Sequence, residues 1–171
     1  MRYSMDLDFE KGWVSQIHFG PARNLRRVAT DHGGLDSGCD AIQGDPGVVA
    51  SLRDLLNHFD TAGPKHHKIV LYSSSATEWD KVAGLSRIFP CVYSGMAWWY
   101  YDSPSGMGDF LSRIPDVGAG FLKIAPFVTD TRNLYSFLPR TQMYRRCLAS
   151  ALARLVEWRG ESMDDAIALG R

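Results

Sequence analysis

Trp13-Val14-Ser15-Gln16-Ile17-His18-Phe19 is the first of four short apolar runs in a chain of 171 residues. The second is Lys68-Ile69-Val70-Leu71-Tyr72, and the third is Cys91-Val92-Tyr93-Ser94-Gly95-Met96. The fourth is Phe121-Leu122-Lys123-Ile124-Ala125-Pro126-Phe127-Val128. Their length and their β-branched and aromatic content predict strands. Pro126 cannot donate to a sheet ladder, so the fourth run makes a poorer central strand than the others.

Helical patterns separate these runs. Over 48–59, Val48, Leu52, Leu55, Leu56 and Phe59 share one face, with Asp45 and Pro46 as start signals. Over 78–88, Trp79, Val82 and Leu85 point inward, and 107–114 is a weaker third pattern. The strongest covers 142–158, where Tyr144, Leu148, Leu152, Leu155 and Val156 form an apolar stripe and Gly160 stops the helix. Strands alternating with helices predict an α/β protein with parallel strands and right-handed crossovers. Four βα units fit half of a (β/α)8 barrel or a small open doubly wound sheet, and the pattern alone does not separate the two. The long loop over 24–45, rich in Gly and Asp, has the character of a functional or disordered segment. There is no internal repeat and no low-complexity stretch.

Composition bounds the function. Hydrophobic residues make up 45% of the chain and aromatic residues 12%, which is the make-up of a globular domain. Lysine plus arginine and aspartate plus glutamate both number 19. A neutral chain has no global field to draw in nucleic acid or an acidic membrane surface, so neither is expected as a partner. Arg145-Arg146 lies inside an apolar-periodic segment and reads as a solvated helix face. Cys39, Cys91 and Cys147 are odd in number and far apart, which argues against a disulfide framework or a thiolate zinc site. No apolar run reaches the length of a membrane span, and the mixed, acidic start lacks the apolar core of a signal peptide. These features predict a cytoplasmic protein.

In parallel α/β folds the chemistry gathers at the C-terminal ends of the strands. His18 ends the first run, with Arg23 and Asn24 beyond it. Trp98, Trp99 and Asp102 follow the third, and Asp130 and Arg132 follow the fourth. Each has a plain structural reading: a hydrogen-bonding histidine, an N-cap aspartate before Thr131-Arg132-Asn133, core tryptophans, loop arginines. Their convergence on one rim is what points to a site. An imidazole and a carboxylate suit proton transfer or a divalent ion. Arginines suit a planar carboxylate on a substrate. Three other patterns read as weaker. His66-His67 reads as a solvated turn after Gly63-Pro64. Ser73-Ser74-Ser75 has no evident base beside it. Asp31-His32-Gly33-Gly34 is loop chemistry without a phosphate cradle.

The same residues carry a family resemblance. Gln16-Ile17-His18-Phe19-Gly20-Pro21-Ala22-Arg23-Asn24 resembles the uronate isomerase segment Q-x-H-I-G-x-x-R-N. Leu35-Asp36-Ser37-Gly38-Cys39-Asp40 resembles that family's G-F-D-S-x-x-D. Ser94-Gly95-Met96-Ala97-Trp98-Trp99-Tyr100-Tyr101-Asp102 resembles G-x-x-W-W-F-x-D. Val128-Thr129-Asp130-Thr131-Arg132-Asn133-Leu134 resembles L-T-D-S-R-S-F, and Tyr144-Arg145-Arg146 resembles Y/F-R-R before a Leu-rich run. The motifs keep family order over about 12–161.

The resemblance implies the C-terminal half of a (β/α)8 barrel of the amidohydrolase-like, metal-dependent class. It implies conversion of D-glucuronate to D-fructuronate and of D-galacturonate to D-tagaturonate, with a divalent metal, zinc foremost, and no organic cofactor. It assigns Asp130 as metal ligand and proton-transfer residue and His18 as a catalytic, substrate-contacting residue. Arg23 and Arg132 become arginines that hold the sugar acid, and Trp99 a wall of its pocket. Asp36 and Asp40 receive no role. The sequence departs from the family in lacking a His-x-His pair, in being less than half as long, and in Ser73-Ser74-Ser75 where an L-N-P-type turn is usual. We therefore expect a single partial domain over 1–171, inactive without an N-terminal half. It would pair with that half or with itself. The alternative is an inactive oligomerising or binding module.

Overall fold

The structure is a computed structural model. It describes all residues except 61–66, 98, 99, 126 and 132. Among the described residues, three parallel strands form the central sheet: β1 (Val14–Phe19), β4 (Lys68–Ser73) and β5 (Val92–Met96), in the order β1-β4-β5. The register sets His18 beside Tyr72 and Tyr72 beside Gly95. In a parallel sheet such neighbours project to the same face. Two very short strands, β2 (Pro21–Ala22) and β3 (Ala41–Ile42), pair antiparallel within the long loop after β1.

Helices cover the outer face of the sheet. Met5 and Phe9 of α1 (Arg2–Lys11) and the Val48, Leu52, Leu56 and Phe59 stripe of α3 (Val48–Asp60) pack on Ile69, Leu71 and Val92. Val82 and Leu85 of α4 (Ala76–Ile88) join them. Trp79 and Ala83 of α4, Met96 of β5, and Met107, Phe110, Leu111 and Ile114 of α5 (Pro104–Val117) form a second cluster, closed by Ala151 of α6 (Leu134–Arg159). The opposite face of the sheet holds a smaller cluster, Val70, Tyr72 and Ala125, flanked by Tyr93 and Val128. The remaining helices are α2 (Arg27–Gly33) in the loop after β1 and α7 (Met163–Leu169), which packs on α6. Helix ends follow local chemistry: Ser103, Asn133 and Ser162 accept from backbone N–H groups at the starts of α5, α6 and α7. None of the described helices is long and apolar enough to cross a membrane.

The first three predicted strands are present almost to the residue. The fourth is not. Phe121–Lys123 is a turn of 3-10 helix, and Ile124 makes a single parallel bridge to Ser94. The Ala125 N–H still reaches the Ser94 carbonyl at 2.9 Å. Pro126 has no N–H with which to extend that ladder, and its placement lies outside the described residues. The helices predicted at 107–114 and 142–158 are longer than expected. Pro104 sits at the first turn of α5, and α6 begins before Pro139 rather than after it.

Candidate functional site

Among the described residues, His18 and Tyr72 of the site lie at the C-terminal end of the sheet. His18 and Tyr72 stack there with ring centroids 4.5 Å apart and planes inclined by 24°. Burial holds the His18 imidazole below its ordinary pKa, and the Asp130 carboxylate pulls it back upward. The ring is therefore largely neutral near pH 7, with one nitrogen to donate and one to accept. Burial pushes the Tyr72 phenol up to about 12, so it keeps its proton. The sequence reading did not single out Tyr72. Its position at the strand end, level with His18, is the signal that could have found it.

The loop after β1 folds back on itself around Arg23. The Nη1 of Arg23 donates to Asp36 Oδ1 and to Asp40 Oδ2, each at 3.0 Å. Asp40 Oδ1 accepts the Asn24 N–H at 2.7 Å, and Asn24 Oδ1 accepts the Asp36 N–H at 3.0 Å. The two aspartates left without a role thus order the segment carrying Arg23 and Asn24. The Tyr100 hydroxyl donates to the Asp40 carbonyl, which joins this loop to the one after β5. A third connection runs through Arg140, which sequence reasoning missed. Arg140 pairs with Asp102 at 2.7 Å and donates to the Thr129 carbonyl at 3.1 Å. It thereby ties the β5 loop to the peptide unit preceding Asp130.

Backbone conformation marks the same loops. The non-glycine residues with positive φ, among those described, are Asn24 (56°), Asp36 (62°), Tyr100 (61°) and Asp130 (38°). Such conformations persist where surrounding structure enforces them, and they cluster at functional sites. Asp130 itself is exposed. Two of the predicted site residues, Trp99 and Arg132, lie outside the described residues, as do Trp98 and His66.

Two further polar segments differ in the structure from the sequence reading. His67 is not a solvated turn residue: it is buried, with Nε2 at 2.7 Å from Ser15 Oγ. Ser15 Oγ in turn donates to Asp8 Oδ2 at 2.6 Å. This chain sits at the N-terminal end of the strands and fastens α1 to the sheet. Ser73-Ser74-Ser75 does have a carboxylate beside it, because Ser73 Oγ donates to the buried Glu78 Oε2 at 2.5 Å.

Among the described residues no group of three or more His, Cys, Asp or Glu side chains could hold a metal ion. Asp130, with His18 in its electrostatic reach, fits the part of one ligand and falls short of a whole site.

The sheet and its rim define an α/β protein that gathers acid, imidazole and guanidinium at the C-terminal strand ends. The glucuronate isomerase family model matches residues 1–171, and the chain belongs to that family. Uronate isomerase of Thermotoga neapolitana is 40% identical over 148 residues, covering 86% of this chain and 32% of that protein. Uronate isomerase of Brucella canis is 32% identical over 151 residues, covering 88% of this chain and 32% of that protein. The crystal structure of uronate isomerase from Thermotoga maritima superposes with a TM-score of 0.90 at 35% identity, over 99% of this chain and 37% of that one. Glucuronate isomerase from Caulobacter crescentus gives 0.88 at 29% identity, over 99% and 35%. The chain thus spans about a third of the length of the relatives it matches.

Proposed function

We propose that residues 1–171 supply the C-terminal half of a (β/α)8 barrel that isomerises hexuronates. The observation that carries this reading is the rim itself: His18 at the end of β1, Arg23 in the loop that follows it, and Asp130 after the fourth apolar run lie on segments joined through Asp40, Tyr100, Asp102 and Arg140. Family membership supports the substrate class and the barrel.

In this reading the aldose forms D-glucuronate and D-galacturonate become D-fructuronate and D-tagaturonate. Asp130 takes the proton from C2 as the C1 carbonyl oxygen is protonated to give an enediol-like intermediate, and returns it to C1 as the C2 hydroxyl loses its proton. The overall change is redox-neutral, so no external electron carrier is required. Neutral His18 hydrogen-bonds the substrate, with Tyr72 fixing the plane of its ring. Arg23 and Arg132 hold the sugar carboxylate, which suits the planar fork of a guanidinium, and Trp99 walls the pocket. Asp130 would be one ligand of a divalent cation, zinc by the family resemblance, which when bound would polarise the sugar oxygens at C1 and C2.

A binding or self-associating role is the second reading. It is favoured by the apolar start of α6, where Leu134 and Tyr135 are 90% and 93% exposed.

The deciding experiment is an isomerisation assay with D-glucuronate. It compares the 171-residue chain with a chimera in which the chain replaces the matching third of the Thermotoga maritima enzyme. Ketose from the chimera and none from the chain alone is the expected result. No ketose from a folded chimera would overturn the proposal.

A further inference from the structure

Glu78, 1% exposed, is a buried carboxylate in the first turn of α4. A carboxyl group so placed must have its oxygens satisfied, because burying a polar group without hydrogen-bond partners is costly. Its partners come from two places. Oε2 accepts the Ser73 hydroxyl at 2.5 Å, from the end of β4. Oε1 accepts the main-chain N–H of Asp45, from the far end of the loop after β1. Ser73 Oγ also accepts the Ser75 N–H at 3.0 Å, which fixes the hydroxyl that faces Glu78.

The loop backbone lies directly on this carboxylate. Gly44 has φ +77, and a Cβ there would stand 3.1 Å from Glu78 Oε1 and 3.2 Å from Ser75 Oγ. The two ends of the loop meet at the same place. The Gly20 carbonyl accepts the N–H groups of Gln43 and Gly44, each at 2.9 Å. The Ser74 N–H donates to the Phe19 carbonyl at 3.1 Å. Residues 20–45 therefore form a lobe whose base closes over the β4–α4 turn, with Glu78 as the side chain joining them. Inside the lobe Asp36 and Asp40 hold Arg23.

We infer that Glu78 is a positioning residue: its carboxylate staples the lobe over 20–45 to the turn after β4 and so sets where Arg23 stands. The effect on sugar acids rests on the isomerase reading; the staple does not. The Ser-Ser-Ser sequence of the turn thereby acquires a purpose, since Ser73 presents the hydroxyl that Glu78 grips.

Hydrogen exchange on the 171-residue chain tests the staple without substrate. Glu78→Ala should speed exchange across 20–45 at least tenfold while β4 and β5 keep wild-type rates. Glu78→Gln, whose carbonyl oxygen can still accept the Asp45 N–H, should restore much of the protection. Unchanged exchange in the lobe overturns the inference, as does an equal acceleration of lobe and strands. In the chimera, Glu78→Ala should raise KM for D-glucuronate about tenfold with kcat within about twofold, and Glu78→Gln should recover most of it. A loosened lobe with wild-type KM overturns the positioning of Arg23. A wild-type chimera without turnover sinks the isomerase reading alone, and the exchange comparison still decides the staple.

Discussion

The ring of Tyr72 fills the space in front of Gly95: a Cβ at residue 95 would lie 2.3 Å from Tyr72 Cε1 and 2.4 Å from Cδ1. The glycine is what allows a tyrosine ring to lie flat against β5, and that ring is what His18 stacks on. Geometry therefore passes from Gly95 through Tyr72 to the candidate catalytic imidazole.

Gly95→Ala should push the ring aside. Overpacking of this kind costs about 1–3 kcal/mol. Urea denaturation should show a loss in that range, and the His18 imidazole resonances should shift as its stacking partner moves. Wild-type stability together with unshifted His18 signals would contradict the close packing.

Ser15 links α1 to the sheet through Asp8 and His67. Ser15→Ala removes the hydroxyl and leaves the buried His67 and the half-buried Asp8 without it. Orphaning a buried partner typically costs about 1–3 kcal/mol. The loss should appear in the unfolding midpoint and in faster exchange of α1, and a neutral effect would count against the linkage.

The pH dependence follows from two histidines. Burial lowers the pKa of His67 against the opposing pull of Asp8 and Asp6, and it lowers that of His18 against Asp130. The unfolded chain, with histidines at the ordinary 6.5, takes up these protons first as pH falls. Their contribution to stability is full above about pH 6.5 and drains as pH drops from there toward the folded-state values. The urea midpoint should be flat from about pH 8 to 7 and then fall, less steeply in His67→Gln. A midpoint that rises on mild acidification would contradict this.

Arg140 and Asp102 are both partly exposed, so their ion pair alone is worth little, about 0–1 kcal/mol. The consequence of breaking it should be local. Arg140→Ala releases the Thr129 carbonyl and should loosen residues 127–131 in hydrogen exchange while leaving the melting temperature nearly unchanged. In the chimera it should lower kcat more than it raises KM, because it acts through Asp130. Wild-type kcat would contradict that placement.

Much of this was legible in the sequence because strands and helices here obey their periods. Val48, Leu52, Leu56 and Phe59 recur at helical spacing and are buried as a stripe. Ile69 and Leu71 alternate with Val70 and Tyr72 across the two faces of β4. The fourth run has the apolar content of a strand, but its proline cannot donate to a ladder, and it makes one bridge to Ser94 after a 3-10 turn. Helix α1 escaped notice because its apolar anchors are few, Met5 and Phe9 among charged neighbours. The roles of Asp36, Asp40 and Arg140 depend on partners 11–38 residues away, a relationship that local pattern does not encode. His67 and Glu78 were missed for a related reason: polar residues beside turns look solvated until tertiary structure buries them.

The proposed role of Asp130 as the proton carrier in hexuronate isomerisation is open to one decisive measurement, Asp130→Asn in the chimera. The amide keeps the shape and removes the base. Ketose formation from D-glucuronate should drop at least about a hundredfold, within the range typical of general-base loss, with the far-ultraviolet dichroism unchanged. A folded Asp130→Asn chimera that isomerises D-glucuronate at the wild-type rate would contradict it.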